Sequence, residues 1–278
     1  MFAQIAADQL GIAVADIDVV TGDTDQFYWG AGTFASRGAV VAGNAVNEAA
    51  KVVRQKALKL ASERFECSED DLVVADGRIS LVGVPGRFVT MADLAASANP
   101  MRGAVKPGTE PGLESTQYFG PPSGATANGV HAMIVEMDPS TFDLKILKYV
   151  VVHDCGTVLN PMILAGQIQG GEAQGIGNAF YEQLCFDDQG QLLNASLADY
   201  LLPTSLEVPR MELSHTVTPS PLNPMGIKGA GEAGAIPVGA LFAQAIEDAL
   251  DLRSKDVELL EIPLSPSRLF ELTRKPTE

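Results

Sequence analysis

One glycine-rich segment, Gly226–Pro237, places a single carboxylate, Glu232, among glycines at positions 229, 231 and 234. Glycine lets a backbone approach a ligand closely and adopt a positive φ that other residues avoid. Prolines at positions 219, 221 and 224 precede the segment, and a helical pattern starts at Pro237. The sequence therefore predicts a tight loop beside a helix start. A carboxylate in such a loop, if it is buried, would have a raised pKa that suits a general base.

The same letters, Gly229–Gly234, match the G-x-G-x-x-G fingerprint of dinucleotide-binding folds. That fingerprint requires a strand that runs directly into the first glycine and a helix that opens at once. Here the preceding residues, Ser220–Gly226, have turn chemistry, and the strand-like run Arg210–Val217 ends too early. The context therefore argues against a dinucleotide site. A purely structural glycine loop with an exposed glutamate stays open as an alternative.

Composition and charge exclude several classes of protein. The chain has 278 residues, of which 46% are hydrophobic, and this is enough for one large or two modest domains. The sequence contains no run of 18 apolar residues and does not open on a basic and then apolar leader, so we expect neither a membrane span nor a signal peptide. A net charge of −16 disfavours nucleic acid and anionic membranes as partners, because it repels phosphate.

The cysteines and histidines are widely spaced along the chain. Cys67, Cys155 and Cys185 form no C-x-x-C pair, which predicts a reduced, cytoplasmic protein and disfavours zinc or iron–sulfur ligation by this chain. The three histidines, at positions 131, 153 and 215, each lie in a strand-like run. We interpret them as solvent-facing or hydrogen-bonded structural residues, so the sequence predicts no metal ligands.

Apolar periodicity predicts five helices, which are Phe2–Leu10, Ala42–Phe65, Thr90–Ala98, Asn160–Leu184 and Pro237–Leu250. The first has no cap or strand before it, so we expect the chain to start in the middle of a domain. The fourth contains glycines at positions 166, 170, 171, 175 and 177. Each of these costs about 0.8–1 kcal/mol of helix stability relative to Ala, so we expect another backbone or a ligand against that helix.

The predicted strands are Ile17–Val20, Leu72–Ala75, Arg78–Val82, His131–Met137 and Leu144–His153, with a further hairpin at Phe186–Leu193. Asp76-Gly77 is a strong two-residue hairpin signal. Residues 98–122 are predicted to form a long loop, and residues after Ser254 a tail. Strands and helices mix without strict alternation, which predicts an α+β fold with two-layer α/β lobes and mixed sheets. We place the lobes at residues 1–115 and 116–278.

Three segments, taken together and in this order, resemble the molybdenum hydroxylases. The first is Gly30–Arg37 with Gly43–Val46, and the third is Lys228–Glu232. The second consists of four short motifs, which are His153–Gly156, Leu159–Pro161, Gly166-Gln167 and Gln174–Gly177. They are similar to the family of xanthine dehydrogenase, aldehyde oxidase and aerobic carbon monoxide dehydrogenase. The likeness runs from Phe2 to the tail, and it corresponds only to the C-terminal part of the family's large, molybdopterin-binding subunit.

The resemblance implies roles for particular residues. Glu232 matches the family's glutamate base, which takes a proton from a molybdenum-bound hydroxyl. The residues implied to contact the cofactor are Phe34, Ala35, Ser36 and Arg37 in the loop under the metal, Gln174 near the pyranopterin, and Lys228, Gly229 and Gly231 before the base. The metal itself would be held by sulfurs of the cofactor, so no protein ligand is implied.

Simpler interpretations of the same residues stay open. Ser36 and Arg37 could cap the helix that follows and pair with an acidic neighbour. Gln174 could be a buried amide that bonds a nearby carbonyl. Asp154 and Asn160 are interpreted as turn-forming residues, because Asp and Asn bond their own backbone in turns.

The resemblance also implies cofactors and partners. The cofactor would be a molybdenum–pyranopterin, in its cytosine dinucleotide form, shared with an N-terminal half of the large subunit. Partner subunits would carry a 2Fe-2S cluster and FAD, and the substrate would be a small aldehyde, an N-heterocycle or carbon monoxide. The loop Gly30–Arg37 is somewhat closer to the carbon monoxide dehydrogenase branch.

The sequence departs from the family in length. It lacks the first half of the large subunit and the glycine–glutamine segment that the family has just before the Phe2 helix. The resulting hypothesis is a half-site that is inactive alone, as in relatives such as certain nicotinate dehydrogenases that divide this subunit in two. The alternative is a non-catalytic assembly or scaffold subunit that keeps the fold without turnover.

Overall fold

A computed structural model of the protein describes residues 1–27, 30, 32–100, 108 and 110–273. Contacts divide the chain into two compact units. The first comprises Met1–Phe34, Gly38–Gly124 and Leu222–Pro224, and the second comprises Ala35–Arg37, Ala125–Pro221 and Met225–Glu278. The predicted division of the sequence into lobes of residues 1–115 and 116–278 stays a prediction.

The first unit contains three α-helices: α1 (Phe2–Leu10), α2 (Asn44–Phe65) and α3 (Met91–Ser97). A π-helical turn, Ala39–Gly43, leads into α2, and a 3₁₀ turn, Val14–Asp16, follows α1. Helix α1 packs against α2, and Arg54 Nη1 donates a hydrogen bond to the Gln9 carbonyl oxygen at 2.7 Å. The predicted helices of this unit are confirmed.

The sheet of the first unit is antiparallel and has the strands β1 (Leu72–Ala75), β2 (Arg78–Leu81) and β3 (Val84–Thr90). Asp76 and Gly77 turn β1 into β2 with φ of 51° and 70°, as a two-residue hairpin turn of this type requires. The Thr90 hydroxyl caps α3 by accepting from the Asp93 amide at 3.0 Å. The predicted hairpin is confirmed, and so is the predicted start of a helix at Thr90.

The sheet of the second unit is mixed. Strand β4 (Asn128–Met137) pairs antiparallel with β5 (Leu144–Asp154), and β5 pairs parallel with β6 (Met211–His215). Its helices are α4 (Pro161–Ile176), α5 (Val238–Ala249) and α6 (Pro266–Thr273), with a 3₁₀ turn at Arg253–Lys255. An antiparallel sheet in one unit and a mixed sheet with helices in the other confirm the predicted α+β fold.

The glycine-rich helix α4 was predicted to have another backbone or a ligand against it, and the structure confirms a second backbone there. The Asn160 side chain caps the helix by accepting from the Ile163 amide at 3.0 Å. A Cβ added at Gly171 would lie 3.0 Å from the Gly234 Cα atom, and one added at Gly175 would lie 2.5 Å from Val238 Cγ2. The loop before α5 and the first turn of α5 therefore pack on α4 where it has no side chains.

Three predicted elements are wrong. Residues 17–20 form no strand in the described part of the chain, and Val19 and Val20 are exposed, because no neighbouring strand pairs with them there. Helix α4 ends at Ile176 and continues as a π-helical turn, Gly177–Tyr181, rather than reaching residue 184. The predicted tail instead contains α6, whose Leu269 is completely buried and belongs to the core of the second unit.

None of the helices among the described residues combines the length and the apolar composition that crossing a membrane requires.

We predict that Gly175→Ala destabilises the chain by about 1–3 kcal/mol, because its Cβ would overlap the buried Val238 side chain and force α4 away from α5. Gly170→Ala is the matched control on the same helix, since a Cβ there would meet nothing within 4 Å. This control should be neutral or stabilising by up to about 1 kcal/mol. Urea unfolding of both variants measures the difference, and equal effects would contradict the packing described for α4.

Candidate functional site

The loop that carries Glu232 is anchored at both ends in the second unit. At its start, the Lys228 amide donates to the Cys155 carbonyl oxygen at 2.7 Å, and the Gly229 amide donates to that of Ala125 at 3.1 Å. At its end, the carbonyl oxygen of Glu232 accepts from the amides of residues 235 and 236 at 3.0 and 3.2 Å. Glu232 is therefore held between the end of β5 and the start of α5.

Ser36 makes two hydrogen bonds with Glu232. Its hydroxyl donates to Glu232 Oε2 at 2.6 Å, and the same oxygen accepts from the Glu232 amide at 2.9 Å. Ala35 and Ser36 have φ of 51° and 52°, a left-handed conformation that turns the hydroxyl back toward the loop. Ser36 does pair with an acidic residue, but the interpretation of Ser36 as a helix cap is wrong, because its hydroxyl fixes the Glu232 carboxylate.

The glycines beside Glu232 allow Ser36 and α4 to approach. A Cβ at Gly229 would lie 3.0 Å from Ser36 Cβ, and one at Gly231 would lie 3.3 Å from Ser36 Oγ. From the other side, Gln167 Nε2 donates to the Gly231 carbonyl oxygen at 2.9 Å. Sequence reasoning did not name Gln167 as a site residue. Its spacing could have identified it, because Gln167 lies two helical turns before Gln174, a predicted site residue, and therefore on the same face of the helix.

Lys228 forms an ion pair within the chain. Its ammonium lies 3.2 Å from Asp154 Oδ1 and donates to Thr218 Oγ1 at 2.7 Å. The Asp154 carboxylate also accepts from the Thr218 hydroxyl and, at 2.8 Å, from the Gly156 amide. The Thr218 hydrogen bond is the main cause that holds the pKa of Asp154 far below its usual range. Asp154 is thus confirmed as a turn-forming residue, and a cofactor contact of Lys228 stays a prediction.

The structure brings together four of the predicted site residues: Ser36, Gly229, Gly231 and Glu232. Glu232 is exposed in this chain, so the burial on which the sequence argument for a general base was conditional is not met, since the loop lies at the surface of the unit. Gln174 is also exposed, which excludes the interpretation of it as a buried amide. Phe34, which is half-exposed, lies in the first unit, and its role stays a prediction, as do those of Ala35, Arg37 and Gln174. Ala31 lies outside the described residues.

The three histidines occupy one face of the mixed sheet. His153 on β5 pairs in register with His215 on β6. On its other side, His153 pairs with Gly129 of β4, and His131 lies two residues further along that strand. The interpretation of these residues as solvent-facing is wrong for His131 and His153, whose side chains are only 2% exposed. His131 Nδ1 lies 3.1 Å from the Tyr149 hydroxyl, but both ring nitrogens of His153 are buried without a hydrogen-bond partner.

A buried carboxylate faces these histidines. Glu172 on α4 is completely buried, its Oε1 atom lies 3.8 Å from His131 Nδ1, and neither of its oxygens has a hydrogen bond. Burial raises the pKa of Glu172 to about 7 and lowers the pKa of His131. Sequence reasoning missed Glu172, although it interrupts an apolar stripe of α4 at residues 164, 168 and 176, which is the pattern of a buried position.

Among the residues that the structure describes, no three or more side chains of His, Cys, Asp or Glu are arranged to hold a metal ion. The cluster of Glu172, His131 and His153 is therefore a group of buried titratable side chains and not a candidate metal centre.

We predict that Glu172 makes the stability of the chain depend on pH. A carboxyl group whose folded pKa is about 7, against an ordinary value of 4.5, stabilises the folded state below about pH 4.5. That contribution is lost as the pH rises to about 7, a change on the order of 3 kcal/mol. Glu172→Gln should remove this dependence. The pKa values of His131 and His153 are lowered, so their contribution has the opposite sign and is lost as the pH falls.

Urea unfolding of the wild type and of Glu172→Gln from pH 4.5 to 8 checks this, since the histidines are common to both proteins. Glu136→Gln, which alters an exposed carboxylate on β4, is the control. A constant stability difference between wild type and Glu172→Gln over this range would show that Glu172 titrates normally.

Comparison with known proteins places this geometry in a family. Residues 1–209 match the family described as molybdopterin cofactor-binding domain. The chain is 40% identical over 272 residues to the nicotine 6-hydroxylase large subunit of Paenarthrobacter nicotinovorans, covering 98% of this chain and 33% of that protein. It is 42% identical over 251 residues to the carbon monoxide dehydrogenase large chain of Hydrogenophaga pseudoflava, covering 89% of this chain and 30% of the relative.

Solved structures agree with these sequence matches. The crystal structure of quinoline 2-oxidoreductase from Pseudomonas putida 86 matches with a TM-score of 0.85 and 40% identity, covering 99% of this chain and 35% of that one. The chain thus spans about a third of the length of the relatives it matches. Since the domain match extends over most of its residues, the chain belongs to the molybdenum hydroxylase family, in the part of the catalytic subunit that binds the molybdopterin cofactor.

Proposed function

We propose that this chain forms the C-terminal part of the molybdopterin-binding subunit of a molybdenum hydroxylase, with Glu232 as its general base. The reaction would be the oxidative hydroxylation of an aldehyde, an N-heterocycle or carbon monoxide, with oxygen derived from water. The observation that carries the proposal is the hydrogen-bonded pair of Ser36 and Glu232, which presents one oriented carboxylate from a glycine loop.

The residues around the loop fit an organic cofactor with many polar edges. Helix α4 exposes two glutamines, Gln167 and Gln174, and two glycines at which an added Cβ would meet nothing within 4 Å, Gly166 and Gly170. Such a face offers side-chain amides and a backbone that a ligand can approach closely. The amides can bond the polar edges of a pterin ring system, and the glycines leave room for its wide, flat face. We expect Gln167, Gln174, Gly229 and the loop residues Ala35–Arg37 to hold the cofactor.

When bound, the molybdenum cofactor supplies the electron-accepting centre for the oxidation. The task of this chain's own residues is then proton transfer and orientation. The Ser36 hydroxyl donates to Glu232 Oε2 at 2.6 Å, which leaves the second carboxylate oxygen, Oε1, to accept the proton. Gln167 fixes the peptide just before Glu232. A positioned general base of this type contributes about 10²–10⁴ in rate.

The proposed partners follow from the family and from the length of the chain. An N-terminal part of the large subunit would complete the cofactor site, and partner subunits would carry a 2Fe-2S cluster and FAD. We propose the cytosine dinucleotide form of the cofactor and a cytoplasmic location, which agrees with the three free cysteines, Cys67, Cys155 and Cys185. The relatives named for nicotine and for carbon monoxide support an N-heterocycle or carbon monoxide as substrate classes.

In the assembled enzyme, Glu232→Gln should lower kcat at least about 10²-fold while leaving the molybdenum content unchanged. The amide keeps the shape of the side chain and can still bond Ser36, but it cannot take up the proton. Steady-state kinetics and metal analysis on the same preparation measure both quantities. Glu212→Gln, which alters an exposed carboxylate on β6, is the matched control. If the Glu232→Gln enzyme retained more than about a tenth of wild-type turnover, Glu232 would be excluded as the base.

The chain alone should contain no stoichiometric molybdenum and should have no hydroxylase activity. Ligand pockets enclose most of their ligand, whereas the loop and the α4 face described above are exposed. Apolar side chains elsewhere are exposed as well, with Leu206 at 90% and Leu260 at 84%, which fits docking of a further polypeptide. Metal analysis of the purified chain, with and without the N-terminal part of the subunit, tests this. Full molybdenum occupancy without that partner would contradict the half-site, and the absence of molybdenum even with the partner would favour a scaffold role.

A further inference from the structure

The buried cluster on the inner face of the mixed sheet has no part in the reaction proposed above, yet it lies directly behind the catalytic loop. Its central members are His131 on β4, Tyr149 on β5 and Glu172 on α4, and each of their side chains is at most 2% exposed. Five buried atoms of Glu172, His131 and His153 have no hydrogen-bond partner in this part of the molecule. A concentration of such atoms is unusual, because buried polar groups in proteins are nearly always paired.

The protonation of this cluster is constrained by its geometry. A buried carboxylate with neither hydrogen bond nor counter-charge is strongly disfavoured. Glu172 Oε1 lies 3.8 Å from His131 Nδ1, so a small movement lets the two groups share one proton. The proton resides either on the carboxyl group or on the imidazole, and in both cases the pair is neutral overall. The Tyr149 hydroxyl, 3.1 Å from His131 Nδ1, holds the ring in place.

The pair touches the loop at two points. A Cβ added at Gly234 would lie 2.8 Å from the Glu172 amide nitrogen, so the backbone of Glu172 and that of Gly234 are in van der Waals contact. The Ala233 backbone, which is close to His131 without completing a hydrogen bond to it, favours the charged form of the ring. Ala233 and Gly234 directly follow Glu232, so a change in the pair is transmitted to the peptide that aims the carboxylate.

We infer that Glu172, acting through His131, is a positioning residue whose shared proton keeps the Ala233–Gly234 segment, and with it Glu232, in the orientation seen here. Loss of that proton leaves a negative charge under the loop, and the loop opens to let water reach it. Deprotonation of the Glu172–His131 pair therefore lowers the activity at alkaline pH. The catalytic consequence rests on the proposed role of Glu232 as a base, whereas the loop opening does not.

Other ionisable groups face the pair from β5, β6 and the catalytic loop. His153 lies next to Asp154 and Lys228, and His215 faces it from β6. Burial, and then the charge of His215, lower the pKa of His153. Burial, and then the charge of Glu172, raise the pKa of Tyr149. The Asp154 carboxylate stays charged through neutral pH, because its pKa is strongly lowered. Burial of Glu172 raises its pKa to about 7, so this carboxyl group titrates near neutral pH.

The decisive measurement is amide hydrogen exchange of the full chain from pH 6 to 8.5, corrected for intrinsic exchange rates. The amides of Ala235 and Ile236 bond the Glu232 carbonyl oxygen, so their protection reports the placement of Glu232 directly. In the wild type, we expect their protection to fall at least about 10-fold as the pH passes through about 7. In Glu172→Gln, which is neutral at every pH, protection should stay constant, and Glu136→Gln should behave as wild type.

A second variant keeps the proposal testable if Glu172→Gln folds poorly. Tyr149→Phe retains the carboxyl group and the ring packing but removes the hydroxyl that holds His131, so the pH midpoint of the protection change should shift. In the assembled enzyme, the alkaline limb of the kcat/KM profile should move with that midpoint at unchanged molybdenum content.

Identical pH dependence of protection in the wild type, Glu172→Gln and Tyr149→Phe would overturn the inference. A pH-dependent loop in a wild-type assembly that performs no hydroxylation would support the positioning role and count against the proposed function alone.

Discussion

The contact on which the site depends is the approach of two backbones, that of α4 and that of the loop before α5. Gly171 on the helix and Gly234 in the loop face each other. A Cβ on Gly234 would overlap the Ile168 carbonyl oxygen, and one on Gly171 would lie only 3.0 Å from the Gly234 Cα atom. Backbone atoms cannot move aside as a flexible side chain can, so position 234 tolerates only glycine. It brings Gly231 within reach of Gln167 and sets the position of Glu232.

Helix α4 has one buried face and one exposed face. Its inner face carries Leu164, Ile168, Glu172 and Ile176 into the core of the second unit, and its outer face exposes Gly166, Gln167, Gly170 and Gln174. The inner face decides where the loop lies, and the outer face offers the polar groups proposed to meet the cofactor. Since the relatives are about three times as long as this chain, an outer face open to further polypeptide agrees with a site completed by other residues.

Local patterns were predictable where the chain itself specifies the structure. The Asp76-Gly77 turn, the helix starts at Thr90 and Asn160 and the long helix α2 each depend on residues within a few positions of one another, and all were found. The segment 17–20 has strand composition, but a strand also needs a partner, and the described residues provide none there. Composition alone therefore predicted a strand at residues 17–20 that the structure does not have.

Long-range groupings were not predictable from local patterns. The histidines on β4, β5 and β6 come together only because β5 pairs with both β4 and β6. The Ser36–Glu232 pair joins residues 196 positions apart, and nothing within either segment indicates the other. Resemblance to a known family supplied the two segments as parts of one site, which physical reasoning from the sequence did not. Neither approach identified Glu172, whose environment is set by the packing of α4 on the sheet.

The separation of Ser36 from Glu232 has a consequence for biosynthesis. At about 5–20 residues per second, the ribosome needs about 10–40 s to progress from one to the other. During this time Ala35 and Ser36, whose left-handed conformation costs free energy when it is unsupported, have no carboxylate to hold them. The turn can take its final shape only after residue 232 has emerged. Nascent chains therefore complete this corner late, and a ribosome that stalls before residue 232 releases a product in which the hydroxyl has no partner.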